Sequence, residues 1–379
     1  MNKLKDNNNE YSKRVIVINS QPLLKQDDKV LIYKETGKFL VRLSELENKV
    51  IVFQSLMAGN KTVFLSDYDL SNKNVIIKIV KRSKIKLLTY IKVLFKGFIE
   101  IRKADFIYIF FPTNIFYKFL INFSIILNKE FGLYIRGEKG LIDKNNLRLY
   151  QKAKLLLTIS PKFTDLISSY NKNVFTIRPM ISFSEEDIVT DKIYTNLSKI
   201  KFLYVGRIER AKGIFDLVEA VKIIVDKNIR NFEVNLVGDG EDLEKIKLLI
   251  NKYDIGSYFI FKGVVTKKEI ISDIYKSCNV FIFPSHHEGF PRVLFESMIF
   301  GLPIITTFVG SIDSIMVDKE NCLKVDSKNS IDLADKIKIV IINYESCIKI
   351  AQNGTKTIIK YLSKKKLSHA DQLNKMIKD

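Results

Sequence analysis

Residues 280–296 read VFIFPSHHEGFPRVLFE, and this stretch contains a strand, a loop and the start of a helix. Val280–Phe283 is apolar throughout, as in a strand of a parallel sheet that is covered on both faces. Pro291 fits the first position of a helix. Glu288 then lies in the loop and Glu296 lies over a turn inside the helix. The stretch predicts an α/β unit with two carboxylates at the carboxyl ends of its strands.

The same alternation of β-branched runs and amphipathic segments extends through both halves of the chain, which predicts parallel sheets covered by helices. In the second half we predict strands at Lys201–Val205, Glu233–Val237, Tyr258–Phe261, Val280–Phe283 and Ile304–Thr306, and helices at Ile214–Asp226, Glu241–Asn251, Lys268–Tyr275 and Arg292–Phe300. In the first half we predict strands at Val15–Ile18, Val50–Phe53, Val75–Val80, Phe106–Phe111, Phe131–Arg136, Lys154–Ile159 and Val174–Ile177, and helices at Ile85–Arg102, Phe116–Leu127 and Lys162–Ser169.

A chain of 379 residues exceeds what one hydrophobic core usually supports, so we expect two domains. The polar segment Pro179–Lys199 is interpreted as the linker between them. We predict an N-terminal domain over residues 1–185, a C-terminal domain over 186–345, and a helical segment over 346–379 that packs back across the domain junction.

The composition excludes several classes of protein. With 46% apolar and 27% charged residues, the chain has ample core material and is not intrinsically disordered. Three cysteines in no paired spacing favour a reducing cytosol over a disulfide framework. We expect no secretory leader, because the first residues are polar and charged. The most apolar stretch, Phe106–Asn128, is interrupted by polar residues and falls short of a span of about 18 residues.

The net charge of +20 suggests an anionic partner. Residues 1–190 carry 32 basic and 18 acidic side chains, so most of the excess lies in the first half. The frequent use of lysine in proteins of an AT-rich genome explains the total charge well, but it explains this asymmetry less well. Lys81–Lys103 is basic and amphipathic, which fits either an anionic membrane surface or an ordinary domain helix with solvated lysines. No nucleic-acid partner is expected, because no basic stripe with exposed aromatics or known binding signature accompanies the charge.

Three further segments follow predicted strands of the second half. In the first, Gly206 permits a tight turn at the end of the strand. Arg207 and Lys212 follow it and precede a helix that begins near Gly213, and the amino end of this helix suits a phosphate. Two solvated basic side chains are the alternative. Val237-Gly238-Asp239-Gly240 and Lys262-Gly263 bring glycines to the same edge, where the backbone can approach a ligand or simply turn.

The whole series resembles glycosyltransferase family 4. The residues that carry the resemblance are Gly206-Arg207, Lys212-Gly213, Val237–Gly240, Lys262-Gly263, Glu288-Gly289-Phe290, Glu296 and Gly301–Ile305. Glu288 and Glu296 enclose seven residues, as in that family's Glu-x7-Glu signature. The match covers roughly residues 200–325. It implies an α/β protein of the GT-B type, with two Rossmann-like doubly wound domains facing a cleft, and a retaining transferase that needs a nucleotide-sugar donor.

The resemblance also implies roles for single residues. Arg207 and Lys212 would bind the donor diphosphate and stabilise the leaving group. Glu288 would contact the donor sugar, and Glu296 the ribose hydroxyls. Gly206, Gly238, Gly263, Gly289, Phe290 and Pro291 would complete the donor site, with the backbone N–H groups of Gly289 and Phe290 meeting sugar hydroxyls or phosphate. Val309–Asp313 matches less closely, since the family often has glycine at Ser311 and glutamate near Asp313.

The N-terminal half departs from the family pattern. The expected glycine-rich loop after the first strand is missing; Gly37, in Thr36-Gly37-Lys38, could replace it or form a plain turn. A histidine near the donor sugar is also missing. Arg136 and Glu138, directly after a predicted strand, are the candidates for the acceptor side, although an ordinary charged loop explains them equally well.

No metal or other cofactor is expected. The family resemblance implies metal-independent transfer. His286 and His287 are adjacent and have no acidic or cysteine cluster beside them, so we interpret them as loop residues. Asp67-Tyr68-Asp69, which follows the strand-like run Thr62–Leu65, is similar to the metal-binding triplet of the other large glycosyltransferase fold. It lies far from the other motifs and is discounted.

These observations predict a cytoplasmic enzyme, peripheral on the inner membrane face, that transfers sugar to a glycan or lipid-linked acceptor in bacterial surface polysaccharide synthesis. Two alternatives from other classes are a degenerate GT-B scaffold or subunit and a basic nucleic-acid-binding protein. A donor-hydrolysing or phosphorolytic enzyme is a minor further alternative.

Overall fold

The computed structural model describes the chain over a defined set of residues. These are 13–19, 23–55, 66–81, 83–113, 115–138, 140–177, 180–190, 192, 199–289, 291–363 and 367–379. The predicted strand-like run Thr62–Leu65 and the predicted site residue Phe290 lie outside them. Within this part of the chain, no helix is long and apolar enough to cross a membrane.

Strands and helices alternate along the chain. The strands are β1 (Lys13–Ile18), β2 (Leu24–Gln26), β3 (Lys29–Tyr33), β4 (Asn48–Ser55), β5 (Ser66–Asp69), β6 (Ile76–Val80), β7 (Phe106–Phe111), β8 (Glu130–Ile135), β9 (Leu155–Thr158), β10 (Val174–Thr176), β11 (Ile200–Val205), β12 (Phe232–Val237), β13 (Phe259–Gly263), β14 (Val280–Phe283), β15 (Ile304–Thr307) and β16 (Leu323–Val325).

The helices cover the sheets that these strands form. They are α1 (Lys34–Glu45), α2 (Lys86–Arg102), α3 (Ile115–Ile126), α4 (Lys144–Lys152), α5 (Pro161–Ser168), α6 (Ile214–Asp226), α7 (Leu243–Lys252), α8 (Lys268–Ser277), α9 (Arg292–Ile299), α10 (Ser330–Ile342), α11 (Ile348–Leu362) and α12 (His369–Lys378).

The chain divides into two compact units. The first comprises Met1–Thr158, Thr164–Ile177 and Leu367–Asp379, and the second comprises Ile159–Phe163 and Arg178–Lys366. The segment 346–379 is therefore shared, since α11 belongs to the second unit and α12 to the first. Part of the predicted linker also packs in the second unit, because Ile181 and Phe183 lie in its hydrophobic core.

The first unit is built on a parallel seven-stranded sheet in the order β10-β9-β8-β7-β1-β4-β6. The central strand β7 is buried at every residue, so both faces of the sheet are covered. A small antiparallel sheet, β2-β3-β5, lies in the same unit. The apolar runs predicted in the first half, other than the one outside the described residues, all form strands of the large sheet.

Gly37 lies inside helix α1 and not in a turn or a phosphate-binding loop. A Cβ atom at this position would overlap the ring of Tyr68 on β5, so the glycine is required for close packing of the helix on the small sheet. The predicted turn at Thr36-Gly37-Lys38 is wrong. The sequence around it, KETGKFLVRLSE, has helical periodicity of apolar residues, which one glycine does not abolish.

Helix α12 supplies His369 to the core of the first unit. Its Nε2 atom and the hydroxyl of Tyr108 share a hydrogen bond of 2.6 Å, and the ring centroid of Phe39 lies 4.4 Å from the imidazole. Burial lowers the pKa of His369 to about 3. The last helix therefore contributes a neutral, fully enclosed imidazole to the interior.

The second unit is built on a six-stranded sheet in the order β13-β12-β11-β14-β15-β16. All neighbouring pairs are parallel. The strands and helices predicted between residues 200 and 307 are all present, with ends shifted by at most two residues. Strand β16 and helix α10 extend the unit beyond the predicted elements. The two parallel α/β units confirm the predicted fold class.

Candidate active site

The second unit brings four of the predicted segments to one edge of its sheet. Strands β13, β12, β11 and β14 are neighbours, and all run in the same direction. Their carboxyl ends lead into Gly263, Gly238, Gly206 and the loop that contains Glu288. In doubly wound sheets this edge is where ligands bind. The order of the strands thus explains why motifs that are far apart in the sequence can form one site.

Lys212 and Glu288 form an ion pair at this edge. The Lys212 ammonium contacts Oε1 of Glu288, and both side chains are nearly buried, with 14% and 11% of their surface exposed. The hydroxyl of Ser285 donates a hydrogen bond of 3.0 Å to the same carboxylate oxygen. Because so little of either side chain is exposed, water screens the pair only weakly. It links the loop after β11 to the loop after β14.

Arg207 is far more exposed, at 62%, and its guanidinium contacts the Glu209 carboxylate at 2.9 Å. Its backbone carbonyl accepts a hydrogen bond of 2.7 Å from the buried hydroxyl of Tyr204. Burial raises the pKa of Tyr204 well above its ordinary range, and the nearby charges of Glu288 and Glu209 raise it further. The Arg207 backbone is therefore fixed, while its charged end lies in solvent.

His286 has a definite partner, which the sequence analysis missed. Its Nε2 atom contacts the carboxylate of Asp216 in the first turn of α6, and its backbone N–H donates to the carbonyl of Ala211 at 2.9 Å. These contacts join α6 and the loop before it to the loop that carries Glu288. Asp216 lies four residues after Lys212, but nothing in the sequence pairs it with His286.

Glycines allow the loops to approach one another. Gly238 has φ +135°, and a Cβ atom there would overlap the carbonyl of Gly206. Gly310 has φ +69°, and a Cβ atom there would overlap the carbonyl of Glu288. Gly238 is thus needed for close packing against the protein's own backbone. Gly263, with φ +64°, faces open space.

Glu296 lies in the second turn of α9, among buried neighbours. Its Oε2 atom accepts a hydrogen bond of 3.0 Å from the hydroxyl of Tyr275 on α8. Burial raises the pKa of Tyr275 well above its ordinary range, and the negative charge of Glu296 adds to the effect. Tyr275 is thus a partner for the carboxylate that the sequence left unassigned. Pro291 lies at the N-cap position, one residue before α9 begins at Arg292, and not at the predicted first position of the helix; no side-chain hydrogen bond caps this end.

Ser311 occupies a position where the sequence departs from the family pattern. Its backbone N–H and its hydroxyl donate to the carbonyl of Gly289, at 2.9 and 2.7 Å. The serine therefore holds the Gly289 backbone from the far side of the loop. Asp313, on the same segment, pairs with Lys162 at 2.9 Å.

The candidates in the first unit also lie after a strand end. Arg136 follows β8 and donates a hydrogen bond of 3.2 Å to Oδ1 of Asn19, which follows β1. Its guanidinium lies over the ring of Phe110, 5.1 Å from the centroid. Glu138 is exposed. Arg136 is thus anchored within the first unit, and the acceptor roles of Arg136, Glu138 and Gly37 stay predictions.

No group of three or more His, Cys, Asp or Glu side chains with metal-binding geometry occurs among the residues with a described position. Asp69, from the discounted acidic triplet, accepts hydrogen bonds from the backbone and hydroxyl of Ser71 at 2.9 and 2.7 Å. These bonds shape a turn.

Comparison with known proteins agrees with this arrangement. The family model described as glycosyl transferases group 1 matches residues 187–357. This region of the chain is therefore similar to the group 1 glycosyl transferases. The group 1 region contains the whole second-unit site, from Gly206 to Ser311. Family 4 is compatible with this result.

Individual glycosyltransferases also match this chain in sequence over part of its length. An uncharacterized glycosyltransferase of Methanocaldococcus jannaschii is 30% identical over 227 residues, which are 59% of this chain and 61% of the relative. The capsular polysaccharide biosynthesis glycosyltransferase CapM of Staphylococcus aureus is 36% identical over 162 residues, 41% of this chain and 40% of CapM. The chain thus covers less than two thirds of the length of either relative.

A solved structure has the same fold over most of this chain. HepE of Anabaena in complex with UDP superposes with a TM-score of 0.69, over 96% of this chain and 98% of that one, at 15% identity. The chain therefore has the GT-B fold of this structural neighbour, with two Rossmann-like units.

Proposed function

We propose that the protein is a glycosyltransferase that moves a sugar from a nucleotide-diphosphate-sugar donor to an acceptor hydroxyl. The observation that carries the proposal is the Lys212–Glu288 pair. It lies at the carboxyl edge of the sheet in the second unit, within the region that matches the group 1 family model. A cation and a carboxylate that share a nearly dry site can act on neighbouring parts of one ligand, such as a diphosphate and its sugar. The UDP complex of HepE supports a donor of this class.

The residues have distinct roles in the proposed reaction. The bond between the anomeric carbon and the diphosphate oxygen breaks, and a bond from that carbon to the acceptor oxygen forms. Lys212 and Arg207 neutralise the negative charge that develops on the leaving diphosphate. Arg207 would leave Glu209 for the phosphate, which its exposed position permits. The proton of the acceptor hydroxyl passes to the departing phosphate oxygen.

Glu288 would contact the sugar, and Glu296 the ribose hydroxyls. The amino end of α6 offers free backbone N–H groups that suit the diphosphate. Gly263 leaves open space at the same edge. With two cations available, we propose that transfer needs no metal and, by family resemblance, retains the anomeric configuration.

The biosynthetic role and the cellular location of the enzyme are part of the same proposal. CapM belongs to capsular polysaccharide biosynthesis, and a relative in Bacillus subtilis, TuaC, carries a putative role in teichuronic acid biosynthesis. We infer a glycan or lipid-linked acceptor in surface polysaccharide synthesis. The enzyme would work in the cytoplasm, on the inner face of the membrane.

A thermal unfolding experiment tests the donor site. The purified chain would be heated with UDP, GDP, ADP and their common sugar conjugates, with and without EDTA. A ligand at 100 times its dissociation constant stabilises the folded state by about 2.7 kcal/mol, which shifts Tm by several degrees. We expect a shift from one nucleotide family, unchanged by EDTA and absent in Arg207→Ala.

Lys222→Ala is the matched control, because Lys222 pairs with Asp226 on an exposed face of α6. This variant should respond to nucleotide like the parent chain. If no nucleotide shifts Tm, the donor site is wrong and a scaffold role is favoured. If the shift requires a divalent metal, the metal-independent mechanism is wrong.

A further inference from the structure

Three helices lie on one face of the sheet in the first unit. Helices α2, α3 and α4 connect β6 to β7, β7 to β8 and β8 to β9, and each crossover moves in the same direction across the sheet. Right-handed crossovers therefore place all three helices on the same side. The rings of Phe98 on α2 and Phe123 on α3 pack edge to face at 5.4 Å, and Lys118 on α3 donates to Asn146 on α4 at 3.0 Å. The helices form one continuous layer.

Large apolar side chains of α2 point away from the protein. Leu87, Leu88, Ile91 and Phe95 are 64%, 46%, 53% and 67% exposed. Their spacing places them on one side of the helix. The opposite side, with Val93, is buried. The predicted amphipathic helix is thus apolar on two sides, and only one of them faces the protein core. Phe119 and Ile126 on α3, 44% and 74% exposed, extend the apolar surface.

The charge of this layer is strongly positive. Helices α2, α3 and α4 contain eight Lys or Arg residues and one acidic residue, Glu100. Glu100 is only 12% exposed and pairs with Arg14 at 3.0 Å, so it adds little negative charge to the surface. Lys92 and Lys96 are exposed beside the apolar stripe of α2. We call this layer, α2 to α4, the basic helical face.

A groove between α3 and α4 continues the basic helical face. Its volume is about 840 Å³, and its lining combines Phe119 and Ile125 with Lys118, Arg148 and Lys152. The lining thus contains cationic, apolar and uncharged polar side chains. Such a lining suits a phosphate headgroup that is attached to an acyl chain.

We propose that the basic helical face docks on an anionic phospholipid bilayer. An exposed apolar stripe flanked by lysines is the pattern of a helix that lies in a membrane interface, with its apolar side chains among the acyl chains and its cations at the headgroups. The charge selects this occupant. A second copy of the chain would bring eight basic side chains against eight others, which repel one another. An acidic protein surface would pair with the lysines but would offer no apolar surface to the exposed stripe of α2.

Vesicle sedimentation of the full chain tests the docking. One set of vesicles contains phosphatidylcholine alone, and the other contains phosphatidylcholine with about a third phosphatidylglycerol. We expect binding to the anionic vesicles, weakened by salt. Phe95→Glu should lower the partition coefficient at least tenfold. Lys92→Ala and Lys96→Ala should each lower it about fivefold, the effect of one lysine at an anionic surface.

Ile342→Glu is the matched control, because Ile342 is an equally exposed apolar residue, at 68%, on a helix of the second unit. It should bind vesicles like the parent chain. Equal binding by Phe95→Glu and Ile342→Glu would overturn the proposal, as would no binding to anionic vesicles at low salt. A concentration-dependent dimer that is lost in Phe95→Glu, without vesicle binding, would assign the face to a second copy.

This inference does not depend on the donor site. In Phe95→Glu, the stabilisation by nucleotide should persist, because Phe95 lies in the first unit and the donor site lies in the second. Loss of vesicle binding with retained nucleotide binding separates the two proposals.

Discussion

Lys212 and Glu288 are separated by 75 intervening residues, and their charged ends meet at the carboxyl edge of one sheet. The contact exists because β11 and β14 are adjacent strands. Each side chain neutralises the other in a nearly buried place, so neither is left as an isolated charge. A bound diphosphate would compete with Glu288 for the lysine. Lys212 is therefore already held in position by Glu288, and it can contact a bound anion at the same place.

Replacing either member of this pair should remove transfer. In Lys212→Ala and Glu288→Ala we expect the turnover rate to fall at least about 100-fold, the usual effect of losing one charge-stabilising group from an active site. The measurement is transfer of labelled sugar from the donor that stabilises the protein. Circular dichroism should show that both variants keep their secondary structure.

The control for these variants is Lys222→Ala, which breaks an exposed ion pair and should leave turnover within twofold. Exposed pairs contribute about 0–1 kcal/mol. Near-normal turnover in Lys212→Ala or Glu288→Ala would show that the reaction takes place elsewhere.

Gly238→Ala should destabilise the second unit. The added Cβ would overlap the carbonyl of Gly206, and φ at +135° is a conformation that side chains rarely adopt. We expect a loss of at least about 1–3 kcal/mol in the free energy of unfolding. Urea denaturation followed by circular dichroism measures it. Gly256→Ala, with nothing within 4 Å of its new Cβ, is the control and should be neutral.

Tyr275→Phe should weaken nucleotide binding without abolishing it. The change removes a hydroxyl that donates to Glu296 and leaves the ring in place. Loss of one hydrogen bond to a charged group costs about 1.5–3 kcal/mol, so we expect the dissociation constant of the nucleotide to rise roughly 10-fold or more. Isothermal titration calorimetry would measure this. An unchanged dissociation constant would mean that Glu296 keeps its position without the tyrosine or does not contact the nucleotide.

His369 should make the first unit sensitive to acid. Its pKa is about 3 in the folded protein, below the ordinary value of 6.5, because it is buried. Between those two values the unfolded chain binds a proton that the folded chain does not. Stability should therefore fall as the pH falls from 6.5 towards 3, by at most about 1.4 kcal/mol per pH unit from this group.

The acid dependence is measured as the slope of the urea midpoint against pH. In His369→Phe the slope between pH 6.5 and 4.5 should become shallower, whereas the exposed residue His287, changed to Phe, should leave it unaltered. An equal slope in the parent chain and in His369→Phe would show that other groups cause the acid sensitivity.

The sequence predicts the second unit well because its elements depend on local signals. The run Val280–Phe283 is apolar throughout, and Gly213 allows a left-handed residue directly before α6. Such signals are contained within a few residues. The site residues Lys212 and Glu288 could be found for the same reason, since each follows a recognisable strand.

The pairing of side chains is harder to predict because it depends on strand order. His286 could not be assigned to Asp216, nor Tyr275 to Glu296, until β11 and β14 were known to be neighbours and α8 to lie beside α9. The turn predicted at Gly37 is wrong for a different reason. A glycine inside a helix and a glycine in a turn cannot be distinguished by residue type alone. Only Tyr68, 31 residues further on, explains it.

The place of α12 has a consequence for the newly made chain. As the polypeptide leaves the ribosome, the strands of the first unit emerge early, but the imidazole that packs against Tyr108 and Phe39 is not made until residue 369. The second unit is complete by residue 366. Since domains usually fold as they emerge, the later part of the chain can finish first. The first unit can enclose His369 only after the whole second unit has been made.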